Sequence, residues 1–393
     1  MATIDDRALK AEAEIGRINS FFPILPRLGN RWAAARPWEG RTVALNLHLT
    51  TLTGALLREL ALGGGTFIAC AANPATTDLG TVQFLRNQGI EVYTGGDLEN
   101  RYQQVLGHRP DFVVDVGFDL LASLLGLRDA AHPKLRGAVE ITRSGITRLR
   151  QMESLPFPVV NINDGRLKNA VENRHGVGEA LWQAVGRLTG MHLAGRRVVV
   201  IGYGPVGNGI ATYARAAGMA AEVVETDPIQ RLFAHYDGFP TPTLEDALSR
   251  AGIVVTATGG SHVLAAQHLA SARDGLVVVN AGHGGDEIDV TGIRRAAVRV
   301  DHIAEHVVRY RLENGPRVTL LGGGHPLNIV LNSGSPEPVL LHFAVIGLTL
   351  EWLAQITDAA PGNVQPGEIL VPNSIEAQAA ALALEALHLG AAG

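Results

Sequence analysis

Residues 196–218 read RRVVVIGYGPVGNGIATYARAAG, and the order of features in this stretch decides the fold. A Val-rich run ends directly in Gly202-Tyr203-Gly204-Pro205-Val206-Gly207, and helix-forming residues follow. Glycines at these spacings permit a tight turn and let the backbone approach a pyrophosphate seated at a helix N-terminus. Glu225 closes the next apolar run, AAEVVETDP (220–228), roughly 20 residues on, where an acid accepts hydrogen bonds from a ribose diol and disfavours a 2'-phosphate. Alone, the glycines would only shape a strand-to-helix turn. With strand, helix and acid in sequence they predict a Rossmann domain that holds NAD in preference to NADP.

The same alternation continues on both sides. Downstream, GIVVTATG (252–259) and GLVVVNAGHG (275–284) are Val-rich runs ending in Gly or polar residues. Upstream, TVALNLHL (42–49), GGTFIACAA (64–72), GIEVYTG (89–95) and PDFVVDVG (110–117) are short buried-strand patterns, separated by helical stretches such as TTLTGALLRELAL (50–62) and TDLGTVQFLRNQ (77–88). Strands alternating with helices imply parallel sheets covered by helices. The reading is α/β, with two doubly wound parallel-sheet domains, the second a Rossmann domain, and C-terminal helices. Residues 1–177 form a substrate or catalytic domain and 178–334 the NAD domain, the connecting helix starting near Val177. Residues 335–393 form a helical segment that returns to the first domain or makes a subunit interface.

Composition bounds the function. A chain of 393 residues with 46% hydrophobic and 18% charged residues has matter for two cores. A net charge of -5 gives no basic footprint for nucleic acid or an anionic membrane, so a small molecule is the expected partner. Cys70, the one cysteine, forms no internal disulfide, and no cysteine arrangement points to zinc or another metal. The charged start MATIDDRALKAEAEIGRI lacks a signal-peptide core, and no apolar run is read as a span of roughly 20 residues. A cytoplasmic location is the expectation.

Seven stretches, the glycine turn among them, resemble the S-adenosylhomocysteine hydrolase family, in order along nearly the whole chain. They are NLHLTTLTGALLREL, GAVEITRSGITRLRQM, PVVNINDGRLKNAVENRHG, GYGPVGNG with ETDP, VVTATGG, NAGHGGDEIDV and RYRLENGPRVTLL. The resemblance implies a redox-primed elimination: NAD oxidises the 3'-hydroxyl of the substrate ribose, a base removes the 4' proton, the 5' thiolate leaves, water adds and the hydride returns. NAD then acts as a retained group, and the enzyme is a homo-oligomer, a dimer or tetramer.

By the same resemblance, Lys168 and Glu172 supply the base environment at the oxidised hydroxyl, with Glu where the family has Asp. Four residues apart, they share a helix face, and a surface ion pair is the plain alternative. His48 matches the histidine proposed for acid-base work at the 5' leaving group, and His283 the histidine of the NAD domain that faces substrate; either alone is as readily structural. Asn173, Thr142, Ser144, Thr258 and Asn328 match positions that contact the cofactor, alongside Gly202, Gly204, Pro205, Val206, Gly207 and Glu225. Arg143 replaces a family threonine.

The substrate positions depart from the family. Leu52, Val116 and Ile141 stand where it has carboxylates, and Ser335 where its gate histidine stands, in Gly334-Ser335-Pro336-Glu337-Pro338. With Thr50, these are the candidate pocket residues. Each lost acceptor leaves a substrate polar group unpaired at about 1–3 kcal/mol, so the expected substrate is altered: a modified nucleoside, thioether or other polyol. Two alternatives stand: true S-adenosylhomocysteine hydrolysis with Asp78, Asp119 or His175 compensating, or a non-catalytic regulator that binds NAD. The family's C-terminal tail has no counterpart after LEALHLGAAG, which implies weaker cofactor retention.

Overall fold

The computed structural model describes residues 4–126, 135–282, 286–313, 315–359 and 364–389. In chain order its strands are β1 Thr42–Leu47, β2 Thr66–Ala71, β3 Glu91–Tyr93, β4 Phe112–Asp115, β5 Gly137–Glu140, β6 Pro158–Asn161, β7 Arg197–Ile201, β8 Ala220–Val224, β9 Ile253–Thr256, β10 Leu276–Asn280, β11 Ala297–Ala304, β12 Val307–Leu312, β13 Arg317–Leu321 and β14 Gly367–Leu370. The chain divides into one unit of Met1–Lys168 with Pro336–Gly393, and a second of Asn169–Ser335.

The first unit holds a seven-stranded sheet ordered β14-β6-β5-β4-β1-β2-β3, parallel throughout. Helices cover both faces, which is why its central strands are continuous apolar runs rather than alternating ones. Chain order reverses at β1, which lies between β2 and β4. The loops leaving the carboxyl ends of β1 and β4 therefore diverge and leave a crevice, the usual ligand position in such sheets.

The second unit's sheet runs β11-β12-β13-β10-β9-β7-β8. Its switch point is β7, flanked by β8 and β9, so the glycine turn after β7 and Thr258 after β9 share one sheet edge. One edge departs from the all-parallel reading: β11 pairs antiparallel with β12, and β12 with β13. Only two residues, Glu305 and His306, join β11 to β12, too few for a helical crossover, so the chain must fold back as a hairpin.

Helix Pro336–Ala359 belongs to the first unit. Its best 18-residue window has a mean hydropathy of 1.7, enough by length and composition to cross a membrane, contrary to the expectation that no such run exists. Yet 72% of that window is buried inside the protein, as a core helix requires. It packs on helices Ile24–Ala35 and Thr51–Ala61, on β5 and on helix Asn373–Leu389.

Candidate functional site

In the first unit, the sequence-derived residues gather at the carboxyl edge of the sheet. His48 follows β1; its Nδ1 lies 2.7 Å from the Thr76 hydroxyl, and Thr53 donates to the His48 carbonyl at 2.6 Å. Thr50 caps helix Thr51–Ala61 by accepting from the Thr53 N–H, and Leu52 lies in that helix's first turn. Val116 and Ile141 follow β4 and β5 directly and are 4% and 7% exposed. Three of the four substituted positions thus follow the carboxyl ends of β1, β4 and β5 in one unit.

Two acids beside them were not selected from the sequence. Asp115 and Glu140 are the last residues of β4 and β5, and both are wholly buried. Glu140 accepts from the N–H groups of Gly117, Phe118 and Thr142 and from the Thr142 hydroxyl, at 2.6–3.2 Å. Asp115 accepts from Asn46 Nδ2 and from the N–H groups of Val116 and Leu121, each at 2.8 Å. Burial pushes both carboxyls above the ordinary carboxylate range, and the charge of Asp115 raises Glu140 further. All four acceptor positions of Glu140 and three of Asp115's are used within the unit, chiefly by the turns that carry Val116, Ile141 and Thr142. A signal was present: each is the acid immediately preceding an aliphatic replacement.

Thr142 is the hub of this turn. Its hydroxyl donates to Glu140 and accepts from the N–H groups of Gly117 and Gly145, capping helix Arg143–Leu149, with Ser144 Oγ at 3.3 Å. The loop from β6 to Lys168 is clamped as well. Leu167 N–H donates to Glu376 at 2.8 Å, and Arg150 bridges Asp164 and Glu368 at 2.7 Å each.

Lys168 opens a π-helix, Lys168–Gly176, where the spacing had implied an α-helix. Its i→i+5 pattern is rare and tends to occur at functional positions. Four residues fall just short of one of its wider turns, so Lys168 and Glu172 still project from one side of the segment. Asn173 Nδ2 lies 3.5 Å from Asn169 Oδ1.

The proposed stand-ins each have a partner within their own unit. Asp78 caps helix Leu79–Asn87 through the Thr81 N–H, Asp119 pairs with Arg148, and His175 Nδ1 lies 3.2 Å from the Tyr213 hydroxyl.

In the second unit, the turn after β7 is built only for glycine. Gly202 has φ +100°, and a Cβ on Gly207 would lie 2.0 Å from the Gly202 carbonyl oxygen. Helix Pro205–Ala216 begins at Pro205, with Gly204 as its cap and Val206 in its first turn. Glu225 is tied to this turn by accepting from the N–H groups of Tyr203, Thr226 and Asp227 at 2.7–2.9 Å. Three of its roughly four acceptor positions are used, which leaves one for a ribose hydroxyl.

After β9, buried Glu287 accepts from the N–H and hydroxyl of Thr258 and from the Gly259 N–H. Burial raises this carboxyl too. Asn328 carries the plainest sign of a ligand: its Oδ1 is buried with no hydrogen-bond partner among the described residues. A glycine cradle at a helix N-terminus, an anchored acid and an orphaned amide oxygen fit a dinucleotide. Ser335 lies next to Gly334, whose φ of +120° and close approach to Ala180 exclude a side chain. His283 lies outside the described residues.

A family model described as the NAD binding domain of S-adenosyl-L-homocysteine hydrolase matches residues 173–334. The "Adenosylhomocysteinase" of Thermococcus kodakarensis is 32% identical over 97% of this chain and 92% of its own length. That of Thermotoga maritima is 33% identical over 96% and 94%. The "S-inosyl-L-homocysteine hydrolase" of Methanopyrus kandleri is 34% identical over 93% of this chain and 88% of its own.

Proposed function

Since this chain belongs to the S-adenosylhomocysteine hydrolase family and holds NAD as its cofactor, we propose that it cleaves the 5' bond of a nucleoside thioether whose nucleoside part differs from that of S-adenosylhomocysteine. One observation carries the altered substrate: directly after β4 and β5, at the carboxyl edge of the sheet, stand the aliphatic, nearly buried Val116 and Ile141, while the neighbouring acids Asp115 and Glu140 are engaged by donors of their own unit. A substrate group that needs a carboxylate acceptor there finds none. The relative named for S-inosyl-L-homocysteine supports the idea that the base differs among members of the family.

The chemistry a bound NAD would supply is reversible hydride acceptance from a substrate carbinol. The chain's own residues bind, orient and move protons. Lys168 takes the proton of the reacting hydroxyl, and Glu172 sets the charge around it. His48, its ring held through Nδ1 by Thr76, serves the leaving group. The orphaned Asn328 Oδ1, with Asn173 in the same unit, would hold the cofactor, whereas the Thr142 hydroxyl is already spent on Glu140, Gly117 and Gly145. The test is to add S-adenosylhomocysteine, S-inosylhomocysteine, adenosine and inosine to the NAD-loaded protein and follow absorbance at about 340 nm. Reduction fastest by a nucleoside other than adenosine, or by its homocysteine thioether, supports the reading. Bound NAD that no nucleoside reduces overturns it in favour of a non-catalytic binder.

A further inference from the structure

Helix Pro336–Ala359 contains His342, which is wholly buried and has no hydrogen-bond partner at either ring nitrogen among the described residues. Buried polar atoms are rarely left in this state, because each loses its water contacts without replacement. Nothing in the packing of an apolar core helix calls for a histidine at this position.

The helix's direction fixes where the ring lies. Its C-terminal end is at the amino edge of the first sheet: Arg136, just before β5, donates to the Thr357 carbonyl at 3.0 Å, and Arg41, just before β1, pairs with Asp358 at 2.6 Å. Leu353 packs on Gly137, the first residue of β5, 3.2 Å from where its Cβ would stand. The helix therefore runs antiparallel to the strands. His342 lies eleven residues before Leu353, about 16 Å along the axis at 1.5 Å per residue, while β5 spans only about 10 Å. This brings His342 to the level of the carboxyl edge, the level of His48, Val116 and Ile141. The positive charge of Lys168 also acts on the ring; burial first and that charge second hold His342 well below its usual titration range. The ring is thus neutral, with one N–H donor and one acceptor.

We propose that His342 is a substrate-recognition residue of this site, pairing with a hydroxyl of the substrate's sugar beside Lys168. It supplies polar recognition on the helix side of a crevice whose loop side, at Leu52, Val116 and Ile141, has become aliphatic. The proposal rests on the nucleoside reading above and adds a residue and a substrate group to it.

The test pairs protein and ligand variants on the NAD-loaded protein. Adenosine and inosine, with their 2'-deoxy and 3'-deoxy forms, are titrated by calorimetry against wild type, His342→Leu and His342→Asn. In wild type, removing the recognised hydroxyl weakens binding by about tenfold. His342→Leu weakens the parent nucleoside by a similar factor and shows no further loss on the deoxy form; His342→Asn, which retains a donor and an acceptor, recovers part of the discrimination. Without nucleoside, His342→Leu melts no lower than wild type, since it removes orphaned polar atoms. If His342→Leu keeps the full discrimination, or melts well below wild type with binding unchanged, the ring is structural and the proposal fails. Should His342→Leu not fold, undiminished discrimination in both His342→Asn and His342→Gln overturns it. A wild-type protein that binds no nucleoside overturns the nucleoside reading itself, a distinct result.

Discussion

Replacing Glu140 by Ala tests the view that the buried acids hold the loops of the first unit. The carboxylate accepts from three backbone N–H groups and one hydroxyl, at Gly117, Phe118 and Thr142. Each stranded buried donor costs about 1–3 kcal/mol, and water entering the vacated space offsets part, so the sum is about 3–5 kcal/mol. For a unit of this size, 1 kcal/mol shifts the midpoint by about 2–4 °C, so Tm should fall by about 10 °C. Glu140→Gln preserves shape but turns one acceptor into a donor, and should lose roughly half as much. The assay is thermal unfolding followed by circular dichroism, with bound NAD quantified before each melt. A Glu140→Ala protein melting within about 2 °C of wild type would refute the reasoning, because the acid would then be holding nothing.

Other outcomes follow from the same geometry. Asp115 and Glu140 bind protons more tightly folded than unfolded, because burial raises both; their contribution to stability is therefore full below about pH 4 and declines as pH rises through the raised values. Melts from pH 5 to pH 8 should show a falling Tm that Glu140→Gln makes shallower, and a rising Tm would contradict this. Gly207→Ala places a Cβ 2.0 Å from the Gly202 carbonyl, so the turn must shift and NAD affinity should drop by about tenfold or more by fluorescence titration. Asn328→Leu removes the orphaned amide oxygen; NAD should dissociate about tenfold more readily while the NAD-free protein melts as before. Lys168→Met should keep NAD bound yet severely slow its reduction by substrate, and unchanged reduction in stopped flow would remove Lys168 from the assigned role.

The parts of this molecule that were legible in the sequence are those where local pattern and tertiary role coincide. The strand-glycine-helix order at 197–207 has one economical fold, and the Val-rich runs at 253–256 and 276–280 read as strands because both faces are covered. The hairpin edge of the second sheet was not legible: β11 has an irregular exposed pattern, and the reversal rests on a two-residue link carrying no Gly or Asn-Gly signal. The π-helix at 168–176 follows a spacing that fits an α-helix as well. Val116 and Ile141 were visible as departures from a family pattern, but the work of Asp115, Glu140 and Glu287 was not, since a buried acid is defined by donors that the fold brings from distant loops. His342 was hidden for the opposite reason: in the sequence it is one histidine in an apolar helix, and only its burial without a hydrogen-bond partner among the described residues makes it notable.

The most direct test of the account is to purify the protein, quantify its NAD, and compare rates of rise at about 340 nm on adding S-adenosylhomocysteine, S-inosylhomocysteine and their nucleosides. The account predicts near-stoichiometric NAD and reduction fastest with a nucleoside other than that of S-adenosylhomocysteine. Fastest reduction by S-adenosylhomocysteine, with homocysteine released, would contradict the altered crevice.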